Sequence, residues 1–312
     1  RETFETYKDV DGVLMFMLGN EGNYGLEWSS GTIEDLPQGQ RLDAKARFLY
    51  SLLGEAVELG KSIDPNHPVG IVNGDLGYLD LVAELCPSLD ILGVNTYRGR
   101  KAYSGFYASV EEALDAPIVF PEFGADAYDI AREVEAPYQQ AEYLRDQWAE
   151  LYEQAYGKGK SQNVLGGFVF EWMDEWWKHG MELGLDEHDT TGTWANGAYD
   201  FDATAGRNNM NEEWFGIVAI GELSDDGLHR RVPRAAYWLL KDAWTLDLYR
   251  STSQQAKAHF ALENRAAARE LYELLKLASP EEAKRLSYLA GGGEGQTRAS
   301  GAGEAGTIDW AE

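Results

Sequence analysis

Five short apolar runs, each followed by a helical stretch, constrain this chain more than any other feature. They are GVLMFML (Gly12 to Leu18), PVGIV (Pro68 to Val72), LDILGV (Leu89 to Val94), PIVF (Pro117 to Phe120) and VLGGFVF (Val164 to Phe170). Each is nearly continuous in apolar residues, as expected of a parallel strand buried on both faces. Between the first two runs, Leu42 to Ser62 carries Phe48, Leu49, Leu52, Leu53, Val57 and Leu59 at helical spacing, and Asp64-Pro65 ends that helix. Tyr78 to Leu85 and Val110 to Leu114 predict short helices, Pro137 to Tyr156 a long one, and Pro233 to Trp244 another. Strand and helix therefore alternate at least five times, the pattern of an α/β protein with a parallel sheet. Doubly wound sheets and eight-stranded barrels both satisfy it.

The 312 residues suffice for one large domain with a buried core. A barrel takes about 250 residues for eight units, whereas five units here end near residue 245. The barrel reading thus makes residues 1–250 a partial barrel and places about three units ahead of Arg1. Residues 251–290 read as a charged helical extension, and 291–312, rich in Gly, Ala, Ser and Glu, as a flexible linker or tail. Lys178 to Glu222 reads as a long insertion rich in Gly, Asn, Asp and Trp, either structural or a wall for a cleft. Its polar and aromatic candidates are Trp194, Asn196, Tyr199, Asp200, Asp202, Arg207, Asn208, Asn209, Asn211, Glu213 and Trp214.

Charge narrows the ligand. Lys and Arg number 27 against 53 Asp and Glu, a net charge of −26. Such a surface repels phosphate backbones and anionic lipid, which argues against nucleic acid and for a neutral substrate. No apolar run reaches membrane-spanning length, and no signal peptide is visible. Cys86 is the only cysteine, so no disulfide forms within the chain.

In a parallel barrel the catalytic groups come from the carboxyl ends of the strands. The first run is followed by Gly19-Asn20-Glu21-Gly22-Asn23, the second by Asn73-Gly74-Asp75, and the third by Asn95-Thr96-Tyr97-Arg98. Pro121-Glu122-Phe123-Gly124 follows the fourth, and Glu171-Trp172-Met173-Asp174-Glu175-Trp176-Trp177 the fifth. Glu122 stands 101 residues and three runs beyond Glu21, which is about 34 residues per unit against the roughly 31 of a typical barrel. Two carboxylates on opposed strands of one barrel are what a retaining glycosidase needs. One attacks the anomeric carbon, and the other protonates the leaving oxygen and later deprotonates a water. His179, His188 and Asp189 show no metal-ligand spacing, and GNEGNYG opens no helix with a phosphate-binding pattern. Neither a metal nor a cofactor is expected.

These motifs resemble the clan A glycoside hydrolases, and most closely the barrel domain of glycoside hydrolase family 2. The family's Asn-Glu pair after strand four is matched by Asn20-Glu21 in LGNEGN, and its Glu at strand seven by Glu122 in PIVFPEFGAD. Its Asn-x-Tyr at strand six is matched by Asn95-Thr96-Tyr97, and its Trp at strand eight by Trp172 in GGFVFEWMDEWW. KSIDPNHPV looks like the family's entry to strand five, and the resemblance covers roughly residues 10 to 245. It implies a (β/α)8 TIM barrel represented by strands four to eight, incomplete at its N-terminus and carrying a C-terminal helical extension. The two β-sandwich domains that usually precede such a barrel are absent from this sequence.

The resemblance also implies roles. Glu21 is the general acid/base, and Glu122 the nucleophile. Asn20 bonds the sugar 2-hydroxyl, Tyr97 holds and tunes Glu122, and Trp172 floors the sugar subsite. The strand-end residues Asn95, Glu175 and Trp177 complete the expected substrate-binding set, with Asn73, Asp75 and Arg98 as weaker candidates. The expected partner is a neutral oligosaccharide or polysaccharide, with no nucleic acid and no membrane insertion. Two alternatives use the same features: a β-glucan transglycosylase with the same pair of Glu residues, and a carbohydrate-binding protein without catalysis.

Overall fold

The computed structural model describes residues 1–101, 105–130, 132–178, 187–192 and 210–261. In chain order it contains α1 (Glu2–Tyr7), β1 (Phe16–Leu18), α2 (Gly31–Glu34), α3 (Gln38–Ile63), β2 (Val69–Gly74), α4 (Leu79–Leu85) and β3 (Ile91–Asn95). Then come α5 (Phe106–Ala113), β4 (Ile118–Phe123), β5 (Tyr128–Asp129), β6 (Val134–Glu135), α6 (Pro137–Glu153) and β7 (Val164–Val169). The last are β8 (Val218–Leu223), β9 (His229–Pro233), α7 (Ala235–Ala243) and α8 (Ser253–His259).

All five apolar runs become strands of one sheet, in the order β1-β2-β3-β4-β7. The first four pair in parallel: Phe16 lies beside Val69, Gly70 beside Ile91, and Leu92 beside Ile118. Spatial order follows chain order without reversal. A doubly wound sheet reverses at its switch point, so this is the α/β-barrel arrangement. The central strands β2 and β3 are buried throughout, as the continuous apolar runs require.

The outer two strands depart from the expectation of burial on both faces. β1 is only half-buried, and Leu165 and Phe168 of β7 are exposed. Both are edges: β1 pairs only with β2, and β7 stands beside β4 alone among the described residues.

The described residues gather in two compact units. The first comprises those of Arg1–Thr96, Tyr103–Phe123 and Ser161–Phe168. Its core is set by α3, which buries Ala46, Tyr50 and Val57, and by Val69, Ile71, Leu92, Val94 and Ile118 of the strands. Each such aliphatic side chain contributes roughly 1.5–3 kcal/mol by leaving water. On the other face of the sheet, Met17 lies over β2 and β3. It fits because Gly70 and Gly93 have no side chains: a Cβ on either would meet its thioether at 2.7 Å.

The second unit comprises the described residues of Tyr97–Ala102, Gly124–Lys160 and Val169–Glu312. Here α6 packs on α7, and Tyr143, Leu144, Phe215, Ala236 and Leu240 are fully buried. At its centre Arg234, wholly buried, meets Asp174 with a second bond at 2.9 Å and also reaches Glu135 at 3.2 Å. Asp174 in turn takes hydrogen bonds from the Gly216 amide at 3.0 Å and pairs with His188 at 2.8 Å. The Arg234 charge holds the Asp174 carboxyl below the usual range although burial opposes this.

The long insertion is smaller than its composition suggests. Residues 218–222 begin β8, which forms an antiparallel hairpin with β9. The turn Ser224-Asp225-Asp226-Gly227 was the available signal, with Gly227 in the left-handed region at φ +77°. The hairpin β5–β6 is likewise additional to the five expected strands. The candidates Trp194, Asn196, Tyr199, Asp200, Asp202, Arg207, Asn208 and Asn209, with His179, lie outside the described residues. Of the expected helical extension, α8 is described, started by a capping box between Thr252 and Gln255; residues 262–312 lie outside. Among the described residues no helix is long and apolar enough to cross a membrane.

Candidate active site

In the first unit the ends of β1, β2, β3 and β4 hold the expected residues Asn20, Glu21, Asn73, Asn95 and Glu122. After β1 the chain turns sharply. Glu21 sits in the left-handed region at φ +51°, rare for a residue with a side chain and a mark of strain that collects at functional sites. Backbone and side-chain bonds hold it there. The Glu21 amide donates to the Val72 carbonyl of β2 at 3.2 Å, and the Tyr24 amide donates to the Glu21 carbonyl at 2.9 Å. Asn95, at the end of β3, donates from Nδ2 to Glu21 Oε1 at 3.2 Å and to Asn20 Oδ1 at 2.9 Å.

Asn23 fastens the same loop to β2. Its side-chain amide donates to the Gly74 carbonyl at 2.8 Å and accepts from the Gly74 amide at 2.7 Å, reproducing a strand's two-way pairing. The ring of Tyr24 lies against Gly74, where any Cβ would stand 2.2 Å from it. Asn73 points the other way. It accepts from the Tyr50 hydroxyl at 2.6 Å and donates to the Gly77 carbonyl at 2.7 Å, so it shapes the loop after β2.

Glu122 reaches the site through an irregularity in β4. The Leu92 amide donates to the Pro117 carbonyl, and the Thr96 amide to the Glu122 carbonyl. Four residues on β3 therefore match five on β4, which is one extra residue, a bulge. Strict alternation from Val119, beside Gly93, would send Glu122 to the helix face, where Phe120 stacks on Phe106 of α5 at 6.0 Å. The extra residue at Pro121, whose ring abuts Gly93, brings Glu122 level with Asn95 and onto its face. Asn95, itself buried, thus bonds Glu21 and Asn20 directly and stands level with Glu122 across the β3–β4 pair.

The other expected residues lie in the second unit. Tyr97 is half-buried between Phe170, at 6.4 Å, and Phe215, at 5.6 Å. Trp172 is 60% exposed and lies edge-on to Tyr237 of α7 at 6.0 Å, so Phe170 rather than Trp172 accompanies Tyr97. Glu175 pairs with Lys178 at 3.2 Å, and Lys178 also approaches Glu212 at 3.6 Å. Trp177 is exposed, with Trp176 at right angles 5.7 Å away. Burial, reinforced by the charges of Glu175 and Asp174, pushes the Glu171 carboxyl up to about 9. It is therefore protonated at neutral pH. Arg100 is occupied by Asp146 at 2.8 Å and Glu142 at 3.3 Å.

Sequence patterns did not single out Asn23, Phe170 or this state of Glu171. The repeated Asn of GNEGN was the only signal for the first. No group of three or more metal-ligating side chains occurs among the described residues, and His188 faces Asp174 and Trp214 instead.

No protein-family model matches the chain, and no curated protein matches it. Among the solved structures similar to it are glycoside hydrolases. A glycoside hydrolase family 17 β-1,3-glucanosyltransferase from Rhizomucor miehei is 14% identical over 73% of this chain and 66% of its own, with a TM-score of 0.40. A β-glucuronidase from Bacteroides uniformis is 17% identical over 69% of this chain and 22% of its own, with a TM-score of 0.37. The family 53 catalytic domain from Ignisphaera aggregans is 16% identical over 66% of this chain and 54% of its own, with a TM-score of 0.38. The chain thus spans less than two thirds of each.

Proposed function

We propose that this chain belongs to a retaining β-glycoside hydrolase in which Glu122 is the nucleophile and Glu21 the general acid/base. The observation that carries the reading is the convergence on Asn95: it holds the Glu21 carboxylate, and the β4 bulge turns Glu122 onto its face. A Glu21 acting on the leaving group and a Glu122 acting on the ring are the two parts of double displacement. In the first step a Glu122 oxygen bonds the anomeric carbon as the glycosidic C–O bond breaks, and the Glu21 proton passes to the leaving oxygen. In the second, Glu21 takes a proton from water, whose oxygen bonds the anomeric carbon and releases Glu122.

The substrate is a neutral oligosaccharide or polysaccharide, which suits a surface of net charge −26. Asn20 supplies a hydrogen bond to a sugar hydroxyl. Tyr97, Trp172, Glu175 and Trp177 are assigned to substrate binding on their places at the strand ends. The finer assignment to a family 2-like barrel rests on the four motifs around Glu21, Tyr97, Glu122 and Trp172.

The test is Glu122→Gly in the full chain, assayed on β-linked 4-nitrophenyl glycosides with and without azide. Turnover should vanish without azide and return with it, yielding a glycosyl azide of inverted anomeric configuration. Absence of rescue, in a variant that melts as the parent does, would remove Glu122 as nucleophile. Glu21→Gln should lower kcat/KM by about 10²–10⁴-fold on substrates with poor leaving groups.

A further inference from the structure

Asn95 is at the carboxyl end of β3 and only 2% exposed. Its Nδ2 is shared between Asn20 Oδ1 and Glu21 Oε1, while its Oδ1 is buried and finds no hydrogen-bond partner among the described residues. Chemistry sets the orientation of this amide. Turned over, it would aim its oxygen at the Glu21 carboxylate, which the ionised state of Glu21 disfavours. A buried amide is costly unless it is used, and here two of its hydrogens are directed at adjacent groups of one loop. Asn20 is exposed, and its own Oδ1 is taken up by Asn95. Its NH2 end is therefore the one that can meet a substrate hydroxyl.

We propose that Asn95 is the positioning residue of the pair: it holds Glu21 and Asn20 in one orientation and keeps Glu21 able to release its proton. This rests on the acid/base reading of Glu21. A donated hydrogen bond favours the charged form of a carboxyl group. Without it Glu21 stays protonated to higher pH, which leaves the first step possible and hinders the water activation of the second. Asn95 acts through its neighbours, so its loss should fall on kcat more than on KM.

The experiment uses Asn95→Ala and Asn95→Asp in the full chain. The pH dependence of kcat/KM requires Glu21 protonated, so its basic limb reports the Glu21 carboxyl. Both variants should move that limb to higher pH. Asn95→Asp should move it further, because a carboxylate replaces a donor beside Glu21. The value of kcat should fall by about tenfold or more, the factor that corresponds to about 1.4 kcal/mol. A fall in activity with an unmoved basic limb would mean that Asn95 only supports the fold, and would overturn the proposal.

A second measurement does not depend on turnover. Titration of the carbon-13-labelled Glu21 carboxyl by NMR should show the same upward shift in both variants. An unshifted Glu21 carboxyl overturns the positioning role even if the chain proves inactive. A shifted carboxyl with full activity in Glu21→Gln would instead sink the acid/base reading and leave the Asn95–Glu21 contact standing.

Discussion

Glu171 shows how a single residue's environment sets its chemistry. Its carboxyl is raised to about 9, chiefly by burial and then by Glu175 and Asp174. An unfolded Glu titrates at about 4.3, so between that pH and about 9 the folded chain binds a proton that the unfolded chain has released. Stability from this group is therefore complete below about pH 4 and is lost as pH rises through 9. Glu171→Gln, which keeps the side chain neutral and removes the titration, should melt progressively higher than the parent as pH rises from 6 to 9. Equal melting shifts at both ends of that range would show that Glu171 ionises normally. The identity of Glu171 was plain from its place after β7, but nothing in FEWMDEWW says that it is neutral, since burial depends on Phe215 and Ile217, which are distant in sequence and pair with its backbone.

At the scale of elements, the apolar runs and helical spacings located β1 to β4, β7, α3, α4, α5, α6 and α7 to within a few residues, because a buried strand and an amphipathic helix each impose a local period. The bulge in β4 was not legible. Pro121 marks a place where a ladder bond is absent, yet only the register against β3 shows that Glu122 changes face. The clamp of Asn23 on Gly74 is another device between elements. Asn23→Ala would leave the amide and the carbonyl of a buried strand end unpaired, at a cost of about 2 kcal/mol or more. Urea denaturation should show that loss as a lower midpoint with an unchanged slope. An unchanged midpoint would mean that water takes over both bonds.

For the whole molecule, net charge is the property that can be counted directly from the residues. A net charge of −26 opposes compaction by self-repulsion. Raising salt from about 0.01 M to about 1 M shortens the screening length from about 30 Å to about 3 Å, so the melting temperature at pH 7 should climb with sodium chloride. A melting temperature that stays constant or falls would show that the compensating ion pairs outweigh the repulsion. Buried pairs such as Asp174 with Arg234 are shielded from that screening and should not contribute to the trend.

Sequence by itself determined the α/β class, the five strands and the position of each candidate carboxylate at a strand end, because periodicity and turn chemistry are written in neighbouring residues. Glu21 and Glu122 could be singled out that way. Tertiary structure alone decided that Asn95 would sit beneath Glu21 and Asn20, that a one-residue bulge would turn Glu122 to the same face, and that Phe170 rather than Trp172 would stand beside Tyr97. These are contacts between residues far apart in the chain. They follow from strand register and from which faces close on one another, quantities that no local pattern encodes.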